Sequence, residues 1–585
     1  MPLAARLRPR LAAALIAAAP CLALPSIADA QAPIMPLADV QAGMSCTGMT
    51  VIQGTTISSF DVQVLGVVDD AGAGGNRILV SASGPAVAGT GIAEGFSGSP
   101  VYCPASDGTS EVIGAISQGV GQYGNNVALV TPIQAMLDEP VDPPSDVPQV
   151  NFTTRALTGP LTVGGLSPSL LSVLQGAARR AGKSVVAAPS GGPPAFAVQQ
   201  LVPGASVAAN YSEGAIEMGA IGTVTYTTGD EVYAFGHELD GAGRRSLLLQ
   251  DAYVYDVIGD PNVSAGDTSY KLAVGGHTLG TLTADTPNAV IGVLGAPPTL
   301  VPIDVTAHDQ NTGQTIAEDT QVADETGIGQ PLGSSGTTLV APLAVGQAAI
   351  DVFDGPPADE SGRMCLTIAV RQLHAPLRFC KRYVDVGATG TNEATPPALS
   401  LDTGGDAATA LSLIDQAQFA ALDVTGVKVE IDAERGLDKA MIIGARARSK
   451  VTAGSRVQVH LTVRVYQGRL VHITFPLRIP RAAKPGPLNM TIEQNPAAAQ
   501  SQSGSALANA IASALGGGPG SSNPASGNAL VPGPGSAAEL ALDFGQLAPY
   551  DGLVARVGRQ PGPDVYRNRN LLITGAAPLS FDVAN

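Results

Sequence analysis

Tryptophan is absent from this 585-residue chain, and aromatic residues together make up only 4% of it. Charged residues are also scarce at 14%, whereas 45% of the residues are hydrophobic. Disordered chains have the opposite balance, so this composition predicts folded domains with sizeable cores. Glycine (70) and proline (45) are abundant, which favours short strands joined by turns over long helices. We therefore expect a mainly β protein of about three to five domains.

Positive charge is in short supply, with 32 Lys and Arg against 49 Asp and Glu and a formal net charge of −17. Nucleic acid and anionic lipid surfaces attract basic proteins, so neither is an expected partner. Long apolar runs are lacking as well. The one candidate, residues 11–24, follows three arginines and precedes a small-residue cleavage pattern at residues 28–30. This pattern predicts a secretory signal, and hence an exported protein (periplasmic, cell-surface or secreted) without an integral membrane span after signal removal.

Cysteine is rare, and four of the five cysteines follow the predicted signal. An even number of cysteines in an exported chain predicts disulfides. Cys365 and Cys380 flank a predicted hairpin, and Cys46 and Cys103 lie in one predicted lobe. We therefore expect the pairs Cys46–Cys103 and Cys365–Cys380. The alternative of a four-cysteine zinc site has the wrong spacing, so no metal is expected.

A Gly-x-Gly-x-x-Gly pattern occupies residues 119–124. Dinucleotide binding requires a helix to begin directly after such a pattern. The sequence that follows is strand-like, so we interpret the pattern as a hairpin turn and expect no cofactor. The sequence gives no indication of the oligomeric state.

Apolar and polar residues alternate with a period of two in several segments, including residues 60–64 and 457–465, as expected of half-buried strands. Residues 168–181 form the best helix candidate. The predicted segments are a signal peptide (1–30), a serine-bearing β lobe (31–137), a linker and helix (138–196), a histidine-bearing β lobe (197–310), a β module with the cysteine hairpin (311–386), a β-sandwich domain (387–495), a low-complexity linker (496–537) and a C-terminal segment (538–585).

Residues 95–100 read Gly-Phe-Ser-Gly-Ser-Pro and crowd small residues around Ser97. A serine held in a sharp glycine turn beside two backbone N–H groups has the layout of an acyl-transfer nucleophile with its oxyanion hole. The loop resembles that of chymotrypsin-like serine peptidases, and this resemblance implies that the N–H groups of Gly95 and Ser97 form the oxyanion hole. A hydrolase elbow would need glycine at position 99 and a helix afterwards, and neither is expected here. The alternative is a plain glycine-serine turn in an exported β protein.

A serine nucleophile needs a general base, and none of the six histidines precedes Ser97. His237 follows a glycine at the end of a predicted strand, where catalytic residues tend to lie. His277 is the second candidate. The others are interpreted as strand or loop surface: His308, His374, His460 and His472.

Several separated motifs resemble those of the SpoIVB-type serine peptidase domain family (sporulation stage IV B peptidase-like). Residues 41–44, 48–51, 60–67, 91–100, 113–115 and 131–133 resemble its serine half. Residues 222–226, 234–237 and 291–295 resemble its histidine half. The resemblance covers about residues 38–300, with the serine half preceding the histidine half. It implies a chymotrypsin-like double β-barrel serine endopeptidase with a polypeptide substrate, Ser97 as nucleophile and His237 as general base.

The family places its acid some fifteen residues before the serine, but residues 80–84 of this chain contain no carboxylate. Asp240 and Asp285 are possible substitutes. Loss of the orienting acid from a triad can cost ~10⁴ in turnover. The chain could accordingly work as a dyad, use another acid, or be inactive.

These observations leave three hypotheses. The first is an exported serine endopeptidase. Whether it also cleaves itself stays open, and if it does, residues 138–149 and 497–537 are the accessible candidate sites. The second is a catalytically inactive envelope or surface binding protein built on a peptidase-like domain, which the absent acid favours. The third, a secreted esterase using the same serine, is less favoured because position 99 is serine.

Overall fold

The computed structural model describes most of the chain that follows the predicted signal peptide. The described residues are 32–70, 75–121, 126–144, 147–150, 154–157, 159–189, 195–259, 269–328, 336–355, 357–386, 396–499, 506–515, 533–558 and 562–584. The predicted turn at residues 119–124 and the low-complexity linker at residues 496–537 each lie partly outside these ranges. The protein is mainly β, as the composition predicted. None of the described helices is both long and apolar enough to cross a membrane.

The first lobe is a closed six-stranded antiparallel barrel. Its strands are β1 (Ser45–Gln53), β2 (Thr56–Asp70), β3 (Gly75–Ser83), β4 (Pro100–Pro104), β5 (Ser110–Val120) and β6 (Val127–Pro132). They pair in the order β1-β4-β5-β6-β3-β2, and β2 pairs again with β1 to close the ring. The Cys46–Cys103 disulfide links β1 to β4, which confirms the prediction. The predicted alternation of apolar and polar residues in β2 is confirmed, because Phe60, Val62 and Val64 are buried in the core.

Short elements follow the first barrel. They are α1 (Ile133–Met136), β7 (Gln149–Val150), β8 (Thr154–Ala156), β9 (Leu161–Gly164), α2 (Pro168–Arg180) and β10 (Val185–Ala187). The prediction of α2 is confirmed, and Ser167 caps its N-terminus through the N–H of Leu170. The strand β8 adds to the edge of β5.

The second lobe repeats the closed ring. Its strands are β11 (Ser206–Gly214), β12 (Glu217–Thr228), β13 (Glu231–Ala234), β14 (Gly243–Ile258), β15 (Tyr270–Thr286) and β16 (Ala289–Leu294). They pair antiparallel in the order β12-β13-β16-β15-β14-β11, and β11 pairs again with β12. The chain therefore contains two six-stranded rings in succession.

The region after the second barrel mixes strands and helices. It contains β17 (Leu300–Asp309), β18 (Thr315–Ala323), α3 (Gly336–Asp351), β19 (Asp359–Val370), β20 (Leu377–Val386), α4 (Ala398–Asp415) and β21 (Val424–Arg435). The Cys365–Cys380 disulfide joins β19 to β20, as predicted. The prediction of only strands at residues 311–386 was wrong, because residues 336–351 form a helix. Burial on nearly every side of α3 makes its sequence apolar all round and removes the helical period.

The β-sandwich occupies residues 439–584 and begins later than the predicted residue 387. Its strands are β22 (Lys439–Ala447), β23 (Lys450–Thr452), β24 (Arg456–Val465), β25 (Leu470–Arg478), β26 (Gly486–Gln494), β27 (Leu553–Arg556), β28 (Asp564–Tyr566), β29 (Leu572–Thr574) and β30 (Ala576–Ala584). Sheet β25-β24-β22-β29 faces sheet β23-β30-β26-β27-β28 across one core. The C-terminal segment thus supplies strands to both sheets.

Three helices interrupt the sandwich strands: α5 (Pro496–Ala499), α6 (Ala506–Ala514) and α7 (Ala537–Leu547). The prediction of a low-complexity linker over residues 496–537 was wrong for α6. Leu507 and Ile511 are buried there, and α6 lies against α4 and α2. Alanine and glycine permit this close helix packing, which composition alone did not reveal.

Candidate active site

The serine loop, residues 95–100, is a tight turn between the two barrels. Gly95 and Gly98 have φ angles of +87° and +90°, which favour glycine. A Cβ atom on Gly98 would lie 1.8 Å from the backbone oxygen of Thr223, so only glycine fits. The pattern of small residues therefore reflects a close approach of the loop to the second barrel.

Hydrogen bonds hold this loop against β12. The N–H of Thr223 donates to the oxygen of Ser97 at 2.8 Å, and its hydroxyl donates to the oxygen of Gly95 at 3.0 Å. The hydroxyl of Thr225 donates to the oxygen of Gly98 at 2.7 Å. Three buried bonds across the interface thus fix the serine loop of the first barrel on the second.

The segment of the second barrel that carries His237 lies next to the serine loop. After β13, Phe235 and Gly236 adopt φ angles of +67° and +70°, so the chain turns sharply before His237. The backbone oxygen of Ile116 accepts a hydrogen bond from the N–H of Gly98 at 2.8 Å. The same oxygen would lie 3.4 Å from a Cβ atom added to Gly236. The structure therefore brings the predicted serine and histidine segments together.

Thr131 also positions this turn. It does not cap the short helix α1, because Pro132 occupies the N-cap position without a side-chain cap. The Thr131 hydroxyl instead donates to the oxygen of Gly236 at 2.6 Å. A residue of the first barrel thus fixes the backbone next to His237.

The ring of His237 is buried, with 5% of the residue exposed. Its Nδ1 lies 2.6 Å from the backbone oxygen of Glu238. A carbonyl can only accept, so Nδ1 carries a hydrogen and Nε2 of the neutral ring carries the lone pair. Burial lowers the pKa of His237 below its ordinary 6.5. The histidine is therefore in the form that a general base requires at neutral pH.

Asp285, one of the two candidate acids, holds the backbone after His237. Its carboxylate accepts the N–H groups of Leu239, Asp240 and Ala242 at 2.7, 3.0 and 3.1 Å. Burial raises its pKa. It shapes the loop that carries the histidine rather than orienting the ring itself.

Asp240, the other candidate, faces a different partner. Its carboxylate pairs with the buried guanidinium of Arg245 and accepts the hydroxyl of Tyr211 at 2.8 Å. Among the described residues, neither Asp240 nor Asp285 is hydrogen-bonded to the ring of His237. The backbone oxygen of Glu238 occupies the position beside Nδ1 where a triad has its acid.

The serine itself is closed off. Ser97 is fully buried, and its Oγ has no hydrogen-bond partner among the described residues. The N–H of Gly95, one of the two predicted oxyanion donors, donates at 3.4 Å to the backbone oxygen of Leu157. A carbonyl of the chain itself therefore accepts a hydrogen bond from one of the two predicted oxyanion donors.

Lys271, which the sequence did not single out, is buried under the loop. Its ammonium donates to the hydroxyls of Thr50 at 2.8 Å, Thr223 at 3.0 Å and Ser206 at 3.3 Å. Burial lowers its pKa to about 7. Lys271 occupies an inward-facing position of a strand, and lysine is rarely buried. This mismatch is the sequence signal that could have identified the residue.

His277 lines a separate cleft with Phe196 and Glu217. Its Nδ1 lies 2.9 Å from the buried carboxylate of Asp251, a partner that the sequence did not indicate. This pair belongs to adjacent strands, β14 and β15, so only their register brings it together. Within the part of the chain that the structure describes, no group of three His, Cys, Asp or Glu could hold a metal.

Neither the family models, nor the curated proteins, nor the solved structures contain a match to this chain.

Proposed function

We propose that this protein is an exported serine endopeptidase of chymotrypsin-like architecture, related to the SpoIVB-type domain. The proposal rests on one observation: the serine loop of one six-stranded barrel meets the histidine turn of the next at a shared carbonyl, that of Ile116. A catalytic site between two barrels gives each barrel one reacting group.

In the proposed reaction, Nε2 of His237 takes the proton of the Ser97 hydroxyl as its Oγ attacks a peptide carbonyl carbon. The N–H groups of Gly95 and Ser97 stabilise the oxyanion. His237 then gives the proton to the leaving amine, and water hydrolyses the acyl-enzyme. Because the oxygen of Glu238 takes the place of an acid, we expect slower turnover than that of an enzyme with a complete triad.

Labelling with a fluorophosphonate probe tests the proposal. The mature protein should be labelled at Ser97, and Ser97→Ala and His237→Ala should abolish the labelling. Ser99→Ala is the matched control, since Ser99 is buried in the same loop, and it should keep the label. If wild type and Ser97→Ala are equally inert to the probe and to peptides, also after mild denaturant has opened the site, the endopeptidase proposal is wrong.

The burial of Ser97 favours a second candidate, a non-enzymatic binding protein that retains the peptidase scaffold. It predicts a partner captured equally by wild type and Ser97→Ala, together with no labelling after the protein has been opened by mild denaturant. Labelling that appears on such opening would support the enzyme instead, since the closed site would then be the only obstacle.

A further inference from the structure

The peptide group between Glu238 and Leu239 forms a hydrogen bond at each end. Its carbonyl oxygen lies 2.6 Å from Nδ1 of His237 and accepts the hydrogen of that nitrogen. Its N–H donates to Oδ1 of Asp285 at 2.7 Å. The C=O and N–H of a trans peptide group lie in one plane and point in opposite directions. One peptide group therefore lies between the imidazole ring and the carboxylate and is bonded to both.

The register of three strands places Asp285 beside this loop. Asp285 on β15 lies opposite Val290 on β16, and Val290 lies opposite Ala234 on β13. These three residues form a row across the sheet, and His237 follows Ala234 by three positions. The chain after β13 then returns to the end of β15, where the carboxylate accepts three of its N–H groups. The position of the carboxylate is thus set by strand pairing.

The surroundings of Asp285 favour its charged form. Burial raises its pKa, but three backbone N–H groups donate to its oxygens, and Nη1 of Arg245 lies 3.8 Å from Oδ2. The other ionisable side chains of this network are bonded to one another. Arg245 pairs with Asp240 and Glu325, and the hydroxyl of Tyr211 donates to Asp240. The negative charge is therefore held at a fixed position next to the peptide group.

A carboxylate in this position strengthens the bond at the other end of the peptide group. An N–H that donates to an anion polarises its peptide group, and successive hydrogen bonds strengthen one another by about 10–30%. The gain is larger for an imidazolium ring, because its bond to the carbonyl is charge-assisted. In the proposed reaction His237 becomes an imidazolium when it takes the proton of Ser97. Stabilisation that increases in that state raises kcat.

We propose that Asp285 is a positioning residue for His237 and acts through the Glu238–Leu239 peptide group. It supplies the negative charge that residues 80–84 lack, but at one peptide group's distance from the ring. Asp285 does not receive the proton of the serine. It strengthens the bond that holds the Nδ1–H form of the ring in place and stabilises the imidazolium that forms. This inference rests on the proposed endopeptidase function.

Asp285→Asn removes the charge and nearly preserves the size of the side chain. Direct removal of the acid from a triad costs ~10⁴ in turnover, and across an intervening peptide group we expect about a tenfold loss in kcat and in the rate at which a fluorophosphonate labels Ser97. KM should stay unchanged. The Nδ1–H proton resonance of His237 should move upfield and the pKa of His237 should fall, because the anion no longer favours the imidazolium.

Asp251→Asn is the matched control. Asp251 is a fully buried aspartate of the same barrel, and it also accepts backbone N–H groups, those of Gln199 and His277. Its replacement should leave kcat, the labelling rate and the His237 resonance at their wild-type values.

Because Asp285→Asn could misfold, two ester variants test the same connection without changing a charged side chain. Replacement of Leu239 by its α-hydroxy acid removes the N–H that joins the peptide group to Asp285. The same replacement at Ala242 removes another N–H bonded to that carboxylate, but one outside the connection to His237. The ester at position 239 should reproduce the loss in kcat and the upfield shift, and the ester at position 242 should not.

The outcomes separate this inference from the endopeptidase proposal. If wild type is labelled and Asp285→Asn is labelled at the same rate, the inference is wrong and the endopeptidase proposal survives. A lower rate with an unchanged His237 resonance, or equal effects of the two esters, would also overturn the inference, because Asp285 would then only shape the loop. If no variant is labelled or cleaves peptides, also after mild denaturant has opened the site, both are wrong.

Discussion

The buried side chain of Lys271 should make the free energy of unfolding depend on pH. Its pKa is lowered to about 7 by burial, from the ordinary 10.5. Between these values the unfolded chain binds a proton that the folded protein does not. The free energy of unfolding should therefore rise as the pH increases from about 7 to 10.5, by an amount on the order of 4–5 kcal/mol.

Lys271→Met should remove this rise. Urea unfolding at pH 7 and pH 10 measures it, and Lys450→Met, at an exposed position, is the control that should keep the wild-type pH dependence. An unchanged rise in Lys271→Met would show that the lysine is not the titrating group.

The pKa of His237 lies below 6.5 because burial disfavours the imidazolium. If His237 is the general base, kcat/KM should stay constant from neutral pH down to pH 6.5 and should fall only below that value. A pH profile of peptide hydrolysis measures this limb. A fall beginning near pH 7 would implicate Lys271 instead and should then vanish in Lys271→Met.

Gly98→Ala tests the fit between the serine loop and the second barrel. The added Cβ would lie 1.8 Å from a backbone oxygen at a φ of +90°, so we expect a loss of more than about 3 kcal/mol in the free energy of unfolding. Gly108→Ala is the matched control, because Gly108 has a φ of +85° and no atom within 4 Å. It should cost only about 1–2 kcal/mol. Similar losses for both variants, measured by urea unfolding, would contradict the close approach.

At the scale of elements, the least expected contact is that of α6. Its burial shows that part of an alanine-rich segment is structural. Leu507→Ala should lower the free energy of unfolding by about 2–4 kcal/mol, because Leu507 is fully buried. Leu542→Ala on α7 is the control, since Leu542 is 69% exposed, and should change stability by less than about 0.5 kcal/mol. Equal effects in thermal or urea unfolding would mean that α6 does not pack as described.

Strand prediction succeeded where one face of a strand meets solvent. Residues 60–64 and 457–465 lie in β2 and β24, and their alternation follows from burial of one face. Prediction failed for α3 because a helix enclosed on nearly every side has no polar stripe to reveal its period. The boundaries of the sandwich failed for another reason: β21, expected within it, pairs with β17 and β19 instead.

At the scale of the molecule, the last strand closes a domain that begins more than a hundred residues earlier. The strand β30 lies between β23 and β26 in its sheet. A chain ending at residue 575 should therefore lose amide protection in β24 while keeping it in β3 of the first barrel. Hydrogen exchange measures both strands. Protection of β24 in the shortened chain would show that the sandwich does not need its C-terminal strand.

The sequence by itself determined the β class, many of the strands, both disulfide pairs and the two segments worth comparing around Ser97 and His237. These depend on local pattern and on the small number of cysteines. Tertiary structure alone decided the closure of two rings, the burial of Lys271, the oxygen of Glu238 beside His237, and the position of Leu157 at Gly95. These features depend either on contacts between residues that are distant in the chain or on the direction of the backbone. Neither kind of feature leaves a periodic pattern in the sequence. The physical reason is that register and close approach are set by packing between elements.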